Sequence, residues 1–464
     1  MPDYSCDALI IGSGQAGNPL AKALAEAGQK VVLVEAAHMG GSCLNYGCVP
    51  TKTLLASATR AHQVRTAESL GVHVGGTVQV DMPAVIARKE KLLTKSRTSL
   101  TESLAPEHEN ITVLRGHAAF TAAHQVRVQE TQGRTSEITA KQVFINTGTH
   151  AAVPPVPGLA DTKFLTTTEL LNIEEVPEHL LILGGGYIGL EFGQMFRRFG
   201  SQVTIIEHGQ QVLEREDDDV CEALQTALTN EGIEFIMEAE VHHVSQNAAG
   251  QFTLATTTKK GERRVHGSHL LIATGRKPST DGLGLELAGV KTDEQGYIEV
   301  NTRLQTNVKH IYALGDVHGG PQFTHLSHDD FRVVRDNLLH QGPRRSAKQR
   351  PLPYCVFTDP ALGRIGLSET QAKDQGLPYR VSVTPVKKIS RAQQTGDDLG
   401  FWKMLVGPDD RIIGAAIVGP EAGEIMTIVQ VAIAGRLRYQ ELAEMVIAHP
   451  VWAEGLNVAF RDLK

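Results

Sequence analysis

The sequence predicts an α/β fold with two Rossmann-like dinucleotide-binding domains and a C-terminal α+β domain. Two glycine-rich turns each follow a strand-like apolar run and precede a helix-like run. Glu35 lies 23 positions after Gly12, and Glu207 lies 23 positions after Gly184, so the same unit occurs twice. A chain of 464 residues also favours two to four domains over a single core.

The first unit begins near the N-terminus. The run DALII leads into GSGQAG, which contains Gly12, Gly14 and Gly17, and the helical PLAKALAEAG and the strand-like KVVLVE follow. In such a unit the first glycine makes a tight turn, the second lets the backbone approach a pyrophosphate, and the third lets the helix pack on the strand. The helix N-terminus binds phosphates, and the terminal glutamate accepts hydrogen bonds from ribose hydroxyls.

The second unit repeats this order. LLILGGGYIG contains Gly184, Gly186 and Gly189, and the helical LEFGQMFRRFG and the strand-like SQVTIIE follow. One such motif is weak evidence, but two with matched spacing predict that the protein binds two dinucleotides. No basic residue follows Glu207 before Arg215, and a carboxylate repels a 2′-phosphate, so we expect NADH at this unit rather than NADPH. NADPH stays an alternative, because a protonated His208 would weaken that preference.

The domain boundaries follow from the proline-rich AAVPPVPG (151–158) and from QGPRRSAKQRPLP (341–353), which both indicate linkers. The second unit is expected to extend to about Thr274. The strand-like HLLIATGR (269–276) and HIYALGD (310–316) are expected to return to the first domain. Beyond the second linker, the strand patterns FWKMLV and RIIGAAIV and the helical EIMTIVQVAIAG predict the α+β domain.

Composition limits the partners. The formal net charge is −7, which argues against nucleic acid or an anionic membrane surface as the partner. No apolar run reaches the ~18 residues needed to span a bilayer, and no signal peptide precedes the first strand, so we expect a cytoplasmic protein without a membrane partner.

Cys43 and Cys48 are the closest pair among five cysteines; Cys6, Cys221 and Cys355 are isolated. A static disulfide is improbable in a reducing cytoplasm. Two unrelated buried thiols or half of a zinc site are alternatives, although zinc would require two further ligands nearby, which are missing. Closely spaced cytosolic cysteines are often redox pairs. Cys48 also starts the helical VPTKTLLASATR, where the positive helix end favours a thiolate and Pro50 is tolerated in the first turn.

Taken in order, the motifs resemble those of the pyridine nucleotide–disulfide oxidoreductases, which include glutathione reductase, dihydrolipoamide dehydrogenase and mercuric reductase. The resemblance rests on the Gly12–Glu35 unit, GGSCLNYGCVPTK, GHAAF, FINTGT, GGGYIGLE, LIATGRKP, ALGD and IAHPVWAE, and it covers essentially the whole chain. It implies a first FAD-binding segment at 1–150, an NAD(P)-binding domain at 151–274, a second FAD-binding segment at 275–345, and a dimerisation domain at 346–464.

The resemblance also implies the roles of individual residues. Cys43 would be the outer thiol that attacks the substrate and Cys48 the inner thiol beside the flavin, the pair cycling between disulfide and dithiol. Lys52 and Glu191 would form an ion pair near the flavin, and Tyr187 would cover the nicotinamide pocket. Contacts with FAD are implied for Gly12, Gly14, Gly17, Glu35, Gly41, Ser42, Lys52, Gly116, His117, Ala118, Thr147, Gly148 and Asp316, and contacts with NAD for Gly184, Gly186, Tyr187, Ile188, Gly189, Glu207 and Gly275.

Near the C-terminus, His449 would be the base and Glu454 the acid that orients it. In the family this histidine reaches the cysteines of the other subunit, so the resemblance implies a homodimer. The family usually has Thr after HP, whereas Val451 and Trp452 follow here, a departure that changes packing more than chemistry.

The substrate is less well indicated. No cysteine follows Cys355, which disfavours classical mercuric reduction, and VHGGPQFTHLSHDDFRVVRDNLL departs from dihydrolipoamide dehydrogenases. That stretch is similar to reactive-chlorine-resistance flavoproteins of the mercuric-reductase-like branch, which implies a small disulfide, a metal ion or an oxidant as electron acceptor. A dihydrolipoamide dehydrogenase and a redox-sensing flavoprotein that binds a partner are the alternatives. His318, His325 and His328 with Asp329 and Asp330 suggest a metal site, but a solvated helix start is the favoured interpretation, and we expect no resident metal.

Overall fold

The computed structural model describes residues 3–104, 110–339 and 344–464. Its strands are β1 (Tyr4–Ile11), β2 (Val31–Glu35), β3 (Ile111–Ala122), β4 (Gln125–Glu130), β5 (Thr135–Ile145), β6 (Thr149–Ala151), β7 (His179–Leu183), β8 (Gln202–Ile206), β9 (Ile233–Ile236), β10 (Glu240–Gln246), β11 (Phe252–Thr258), β12 (Gly261–Gly267), β13 (His269–Ile272), β14 (Arg276–Pro278), β15 (Ile311–Ala313), β16 (Tyr354–Val356), β17 (Ala361–Gly366), β18 (Arg380–Pro385), β19 (Phe401–Val406) and β20 (Ile412–Gly419).

The α-helices of the described residues connect and cover these strands. They are α1 (Gly17–Glu26), α2 (Gly41–Asn45), α3 (Cys48–Thr66), α4 (Met82–Glu102), α5 (Thr167–Leu170), α6 (Tyr187–Phe199), α7 (Asp218–Asn230), α8 (Thr324–Leu339), α9 (Glu369–Asp374), α10 (Ser390–Thr395), α11 (Ala422–Ala434) and α12 (Tyr439–Ala443).

The first sheet contains β1 to β5 and β15. β1 pairs in parallel with β2 and β5, and β15 pairs in parallel with β5. Every residue of β2 is buried, as expected for a parallel strand with both faces covered. The first glycine-rich turn joins β1 to α1, at the carboxyl edge of this sheet, where Rossmann-like folds bind their ligands.

The second glycine-rich turn joins β7 to α6 in a separate parallel sheet of order β13-β7-β8-β9, beside the antiparallel β10-β11-β12. His269–Ile272 was expected both within the second unit, which was to extend to about Thr274, and in the return to the first domain; the second of these expectations is wrong. This strand pairs in parallel with β7, residue for residue, and its leucines are fully buried there. The chain crosses back only after it, where β14 pairs with β6.

The C-terminal residues form an antiparallel sheet of order β16-β17-β20-β19-β18, and α11 packs on β17 and β20. The predicted fold class, two Rossmann-like units followed by an α+β domain, is confirmed.

A buried lysine joins the second unit to this C-terminal sheet. Lys403 on β19 is 2% exposed and donates to Asp217 (3.2 Å), Asp219 (2.6 Å) and Glu369 (3.4 Å). Burial opposes the charge of Asp217, but the amides of Thr370 and Glu369 and the charge of Lys403 lower the pKa of Asp217 to about 2. The carboxylate is therefore ionised and paired at every physiological pH.

Within the described residues, no helix is both long and apolar enough to cross a membrane.

Candidate active site

The thiol pair lies where the first glycine-rich turn meets two helices. Cys43 is on α2, and Cys48 is the first residue of α3. Gly41 adopts a positive φ of +65°, and a Cβ there would lie 2.7 Å from the Cα of Gly14. Only glycine allows this approach, which brings the cysteine-bearing segment against the first dinucleotide turn.

The two thiols differ in acidity. A hydrogen bond donated by the Cys43 thiol, opposed by burial and helped by the Thr324 hydroxyl and the Lys52 charge, lowers the pKa of Cys48 from 9.0 to about 6. The same hydrogen bond, with burial, raises the pKa of Cys43. Cys48 is therefore a thiolate and Cys43 a protonated thiol at neutral pH.

Thr324 was not predicted from the sequence. It is the first residue of α8, and its Oγ1 lies 3.2 Å from the Cys48 sulfur. A threonine directly before the helical HLSHDDF was the local signal that could have identified it, since threonines often begin helices and present a hydroxyl there.

Lys52 and Glu191, predicted from the resemblance, lie together. The Nζ of Lys52 is 2.6 Å from Glu191 Oε2, and the Glu191 side chain is only 4% exposed. The other Glu191 oxygen accepts from the amide of Phe357 at 3.0 Å, and Lys52 Nζ lies 4.4 Å from the centroid of the Phe357 ring. The pair joins α3 to α6, one turn after Cys48 and one turn after Tyr187.

The first glycine-rich turn fits an FAD. Gly12 has a φ of +101°, and a Cβ there would lie 2.3 Å from the carbonyl oxygen of Asn146, so the turn has no room for a side chain. The buried Thr147 hydroxyl has no hydrogen-bond partner among the residues that the structure describes. Burial also raises the pKa of Asp316, whose oxygens have only long contacts, 3.3 Å to Thr149 and 3.4 Å to Ser327. Buried polar groups with so few hydrogen bonds are available to form hydrogen bonds with a polar ligand.

Glu35 ends β2 with both oxygens engaged by the loops around the turn. It accepts from the amide and hydroxyl of Ser13 (2.8 and 2.5 Å) and from the amide of Ala37 (2.8 Å). Asn146, which the sequence analysis missed, accepts from the amide of Gly17 at 2.9 Å and donates to the Leu314 carbonyl. It thereby ties the first FAD segment to the second.

The other residues expected to contact FAD fall into two groups. Gly116, His117 and Ala118 lie on β3, where they pair with β4. Ser42 follows Gly41 on α2, and Gly148 lies between β5 and β6 with a φ of +68°.

The second glycine-rich turn places Gly184, Gly186 and Gly189 between β7 and the first turn of α6, with Tyr187 and Ile188 as the first helical residues. Glu207 follows β8 and accepts from the amides of Gly185 (2.5 Å) and Gly209 (2.7 Å). The imidazole of His208 lies 2.7 Å from the same carboxylate, and its side chain is mostly exposed. Gly275 follows β13 with a φ of +131° and no atom near its missing side chain.

Tyr187 stands at the start of α6 with 36% of its surface exposed, and its ring centroid lies 6.2 Å from that of Phe323.

His449 and Glu454 also lie together. The Nδ1 of His449 is 2.9 and 3.0 Å from the two oxygens of Glu454, and the imidazole is largely exposed. Within the described chain, no hydrogen bond or ion pair joins His449 to Cys43 or Cys48. Nearby, Met445 is 45% exposed and Val446 is fully exposed.

The histidines considered for a metal site do not converge. His318 bonds Asp330 at 2.9 Å, His325 stacks on Phe323 with centroids 5.4 Å apart, and His328 lies beside Phe331. Among the described residues, no group of three or more His, Cys, Asp or Glu side chains is arranged to hold a metal ion.

Comparisons with known proteins agree with this arrangement. The family model described as pyridine nucleotide-disulphide oxidoreductase matches residues 6–330, and that family's dimerisation domain matches residues 352–460. A probable pyridine nucleotide-disulfide oxidoreductase, RclA of Escherichia coli (strain K12), is 38% identical over 98% of this chain and 99% of its own length. A mercuric reductase of Lysinibacillus sphaericus (82% of its length) and a dihydrolipoyl dehydrogenase of Chlamydia muridarum (96%) are each 33% identical over 98% of this chain.

Solved structures of a flavoprotein disulfide reductase also match this chain over nearly its whole length. The Cu(II) complex of the HOCl-induced flavoprotein disulfide reductase RclA from Escherichia coli superposes with a TM-score of 0.89 at 37% identity, covering 99% of both chains. A second structure of the HOCl-induced flavoprotein disulfide reductase RclA from Escherichia coli has a TM-score of 0.88 at 38% identity, covering 98% of this chain and 99% of that one.

Proposed function

Because this chain belongs to the pyridine nucleotide-disulphide oxidoreductase family, we propose that it oxidises NADH and delivers the electrons through Cys43 and Cys48 to a small thiol-reactive acceptor. As a member of this family, the protein is an NAD(P)H-dependent flavoprotein disulfide reductase. What we propose in addition is the electron acceptor and the preference for NADH. The observation that carries the proposal is the position of Cys48 at the start of α3, with the Thr324 hydroxyl 3.2 Å from its sulfur. One helical turn further on, Glu191 holds Lys52 at 2.6 Å.

An FAD held at the first glycine-rich turn would supply the hydride chemistry that links the nicotinamide to the disulfide of the cysteine pair. The residues proposed to hold it are those of the first glycine-rich turn, with Thr147 and Asp316 offering a free hydroxyl and a poorly satisfied carboxyl. Lys52 is held by Glu191 one helical turn from Cys48, so its positive charge stabilises negative charge that develops beside the thiol pair.

NADH is the proposed nucleotide because Glu207 lies where the second unit would bind the ribose of the nucleotide. The carboxylate already orders its own loop through Gly185 and Gly209, so it is fixed in position to repel a 2′-phosphate. Tyr187, at the start of α6, is proposed to cover the nicotinamide pocket.

The thiol step begins with removal of the Cys43 proton, because Cys43 is the protonated member of the pair. The Cys43 thiolate attacks one sulfur of a small disulfide; the substrate S–S bond breaks, a mixed disulfide forms, and the first thiol leaves with the proton that Cys43 gave up. The Cys48 thiolate then attacks the Cys43 sulfur and releases the second product as a thiolate, so the substrate gains two electrons and the pair becomes a disulfide.

His449 is proposed to move the protons of this step. Glu454 holds its Nδ1, which leaves Nε2 free to exchange a proton. Because no described contact joins His449 to the thiols of its own chain, we propose that it serves the thiols of a second copy in a homodimer. The dimerisation-domain match and the exposed Met445 and Val446 nearby support this.

Among acceptors, a thiophilic metal ion is favoured first. A solved relative covering 99% of its chain and of this one is described as a Cu(II) complex, and thiolates are preferred ligands of reduced copper. The balanced reaction takes one electron per ion: two cupric ions become cuprous, the Cys48 thiolate and the Cys43 thiol become a disulfide, and the one proton of Cys43 is released. The proposed setting is the cytoplasm, where NADH and a reducing thiol pool are available.

A dihydrolipoamide dehydrogenase is the second candidate, favoured by the 33% identity to such an enzyme over nearly the whole chain. A redox-sensing flavoprotein, whose thiol state controls binding to a partner, is the third and predicts negligible turnover.

The test is a steady-state assay of one purified holoenzyme with NADH and, separately, cupric ion, mercuric ion, lipoamide, glutathione disulfide and a quinone, and with dihydrolipoamide plus NAD. We expect cupric reduction that is lost in Cys43→Ser. Quinone reduction is the control, since it does not need the thiols and should persist in the variant. Faster turnover of dihydrolipoamide than of any acceptor would identify the second candidate, and no Cys43-dependent turnover at all would support the third.

A further inference from the structure

Tyr354 lies where the three domains meet. It is the first residue of β16 in the C-terminal domain. Its ring stacks on Phe323, just before α8, with centroids 5.4 Å apart and planes at 8°. Its hydroxyl donates to Glu216, in the loop that follows Glu207 in the nucleotide-binding unit. One side chain thus contacts both of the other domains.

The hydroxyl end of Tyr354 is rigidly anchored. Arg364 is its direct neighbour across β16 and β17, and its Nε lies 3.3 Å from the second oxygen of Glu216. Both side chains of that ion pair are 4% exposed. Arg364 also donates to the carbonyls of Ile365 (3.1 Å) and Ala415 (3.0 Å). Burial raises the pKa of Tyr354, so the phenol stays protonated and remains a donor.

The ring of Tyr354 contacts the active site indirectly, through Phe323. Phe323 also stacks on His325, with centroids 5.4 Å apart, and it contacts Tyr187 with centroids 6.2 Å apart and ring planes tilted by 38°. The next residue along the chain is Thr324, whose hydroxyl lies 3.2 Å from the Cys48 sulfur. The Phe323 ring therefore supports both the tyrosine over the nicotinamide pocket and the threonine that stabilises the thiolate.

We infer that Tyr354 is a positioning residue that acts through its stack on Phe323 to hold Tyr187 at the nicotinamide pocket and Thr324 against Cys48. The inference rests on the proposed function, because it assigns Cys48 as the reactive thiolate and the second unit as the nucleotide site. It goes beyond that function because it assigns to a residue of the C-terminal domain the positioning of both Tyr187, at the nicotinamide pocket, and Thr324, at the thiol pair.

The test compares three substitutions in the FAD-loaded holoenzyme. Tyr354→Leu removes the stack, Tyr354→Phe keeps the ring but removes the hydroxyl, and Phe323→Leu removes the stack while leaving the Tyr354–Glu216 bond. Tyr312→Leu is the matched control, since Tyr312 stacks on Phe144 elsewhere in the FAD domain with centroids 5.2 Å apart. Two quantities are measured. The first is the pKa of Cys48, from the pH dependence of its alkylation by iodoacetamide after anaerobic reduction, with the Cys48 peptide quantified separately from the Cys43 peptide by mass spectrometry. The second is the rate of flavin reduction at saturating NADH.

If the interaction energy of one aromatic stack is lost from the transition state, the rate falls by about two- to tenfold. We expect Tyr354→Leu and Phe323→Leu each to slow flavin reduction by about that factor and to raise the pKa of Cys48 by roughly half a unit or more, because the Thr324 hydroxyl is less well held. Tyr354→Phe keeps the stack but loses the hydrogen bond to Glu216, so both measurements should lie between those of the wild type and of Tyr354→Leu. Tyr312→Leu should stay near the wild type.

Unchanged values in both stack-removing variants would overturn the inference. So would a Tyr354→Phe variant as defective as Tyr354→Leu, or a Tyr312→Leu control with the same changes. The alkylation measurement requires no acceptor and no nucleotide turnover, so it separates this inference from the proposed function. A wild-type flavin that NADH does not reduce would instead count against the proposed function.

Discussion

Replacing Cys43 tests why Cys48 is acidic. The lowered pKa has the Cys43 thiol as its largest cause, followed among the favourable contributions by the Thr324 hydroxyl and the Lys52 charge. Because the pKa is lowered, the thiolate predominates above about pH 6 and is lost as the pH falls through that value. At pH 7 this means about 90% thiolate, against about 1% for a thiol with the ordinary value of 9.0.

Two variants of nearly equal size separate the hydrogen bond from the other causes. Cys43→Ser retains a hydroxyl that donates to the Cys48 sulfur, whereas Cys43→Ala does not. Neither can form the disulfide, so both should show a constitutive long-wavelength absorbance of thiolate beside oxidised FAD. We expect the absorbance of Cys43→Ser to titrate near pH 6 and that of Cys43→Ala at least about one unit higher, with Thr324 and Lys52 still lowering it.

The assay is a spectrophotometric pH titration of each purified holoenzyme, with Cys48→Ser as the blank. Equal midpoints in the serine and alanine variants would show that a donor at position 43 does not set the acidity of Cys48. A serine variant that titrates near the ordinary value of 9.0 would refute the assignment of Cys48 as the stabilised thiolate altogether.

Three further predictions concern the proposed roles. After two-electron reduction the wild type should gain the long-wavelength band, and Cys48→Ser should lack it; a band that persists in that variant would show that another group is responsible. Wild-type kcat/KM should be higher for NADH than for NADPH, and Glu207→Arg should narrow or reverse the ratio by removing a repulsive charge; equal values in the wild type would contradict the role of Glu207. His449→Ala and Cys43→Ala homodimers should be unable to reduce a disulfide normally, but unfolding and refolding them together should restore about a quarter of wild-type activity, since half the dimers are mixed and each has one complete site. If the mixture shows only the average of the two parents, His449 acts within its own chain or is not the base.

Local spacing was sufficient to predict both glycine-rich turns, because the tight turn, the phosphate approach and the helix packing are all decided within about ten residues. The strand at His269–Ile272 was expected in both domains for the converse reason. Its apolar pattern is compatible with either parallel sheet, and only the pairing with β7, distant in sequence, decides between them.

The contacts around Cys48 also depend on residues that are distant in sequence. The Lys52–Glu191 pair was anticipated from the family resemblance and not from the residues themselves. Thr324 lies 276 positions from Cys48 in the chain, and Phe357 lies 166 positions from Glu191. Their proximity is a property of the assembled domains, so composition and periodicity contain no signal for it.

The buried Lys403 restricts how a nucleotide can reach its pocket. Many two-domain enzymes admit ligands by hinge bending, in which one lobe swings away from another. Here, such a swing between the second Rossmann unit and the C-terminal sheet would pull Asp217 and Asp219 away from a lysine that is 2% exposed. Breaking these buried ion pairs disfavours the swing, although Glu369, on the C-terminal side, would stay beside Lys403. The second Rossmann unit and the C-terminal sheet are therefore expected to move as one body. Rotation of the partly exposed Tyr187 ring would widen the entrance without separating them, on the nanosecond scale of side chains rather than the slower scale of lobe movement.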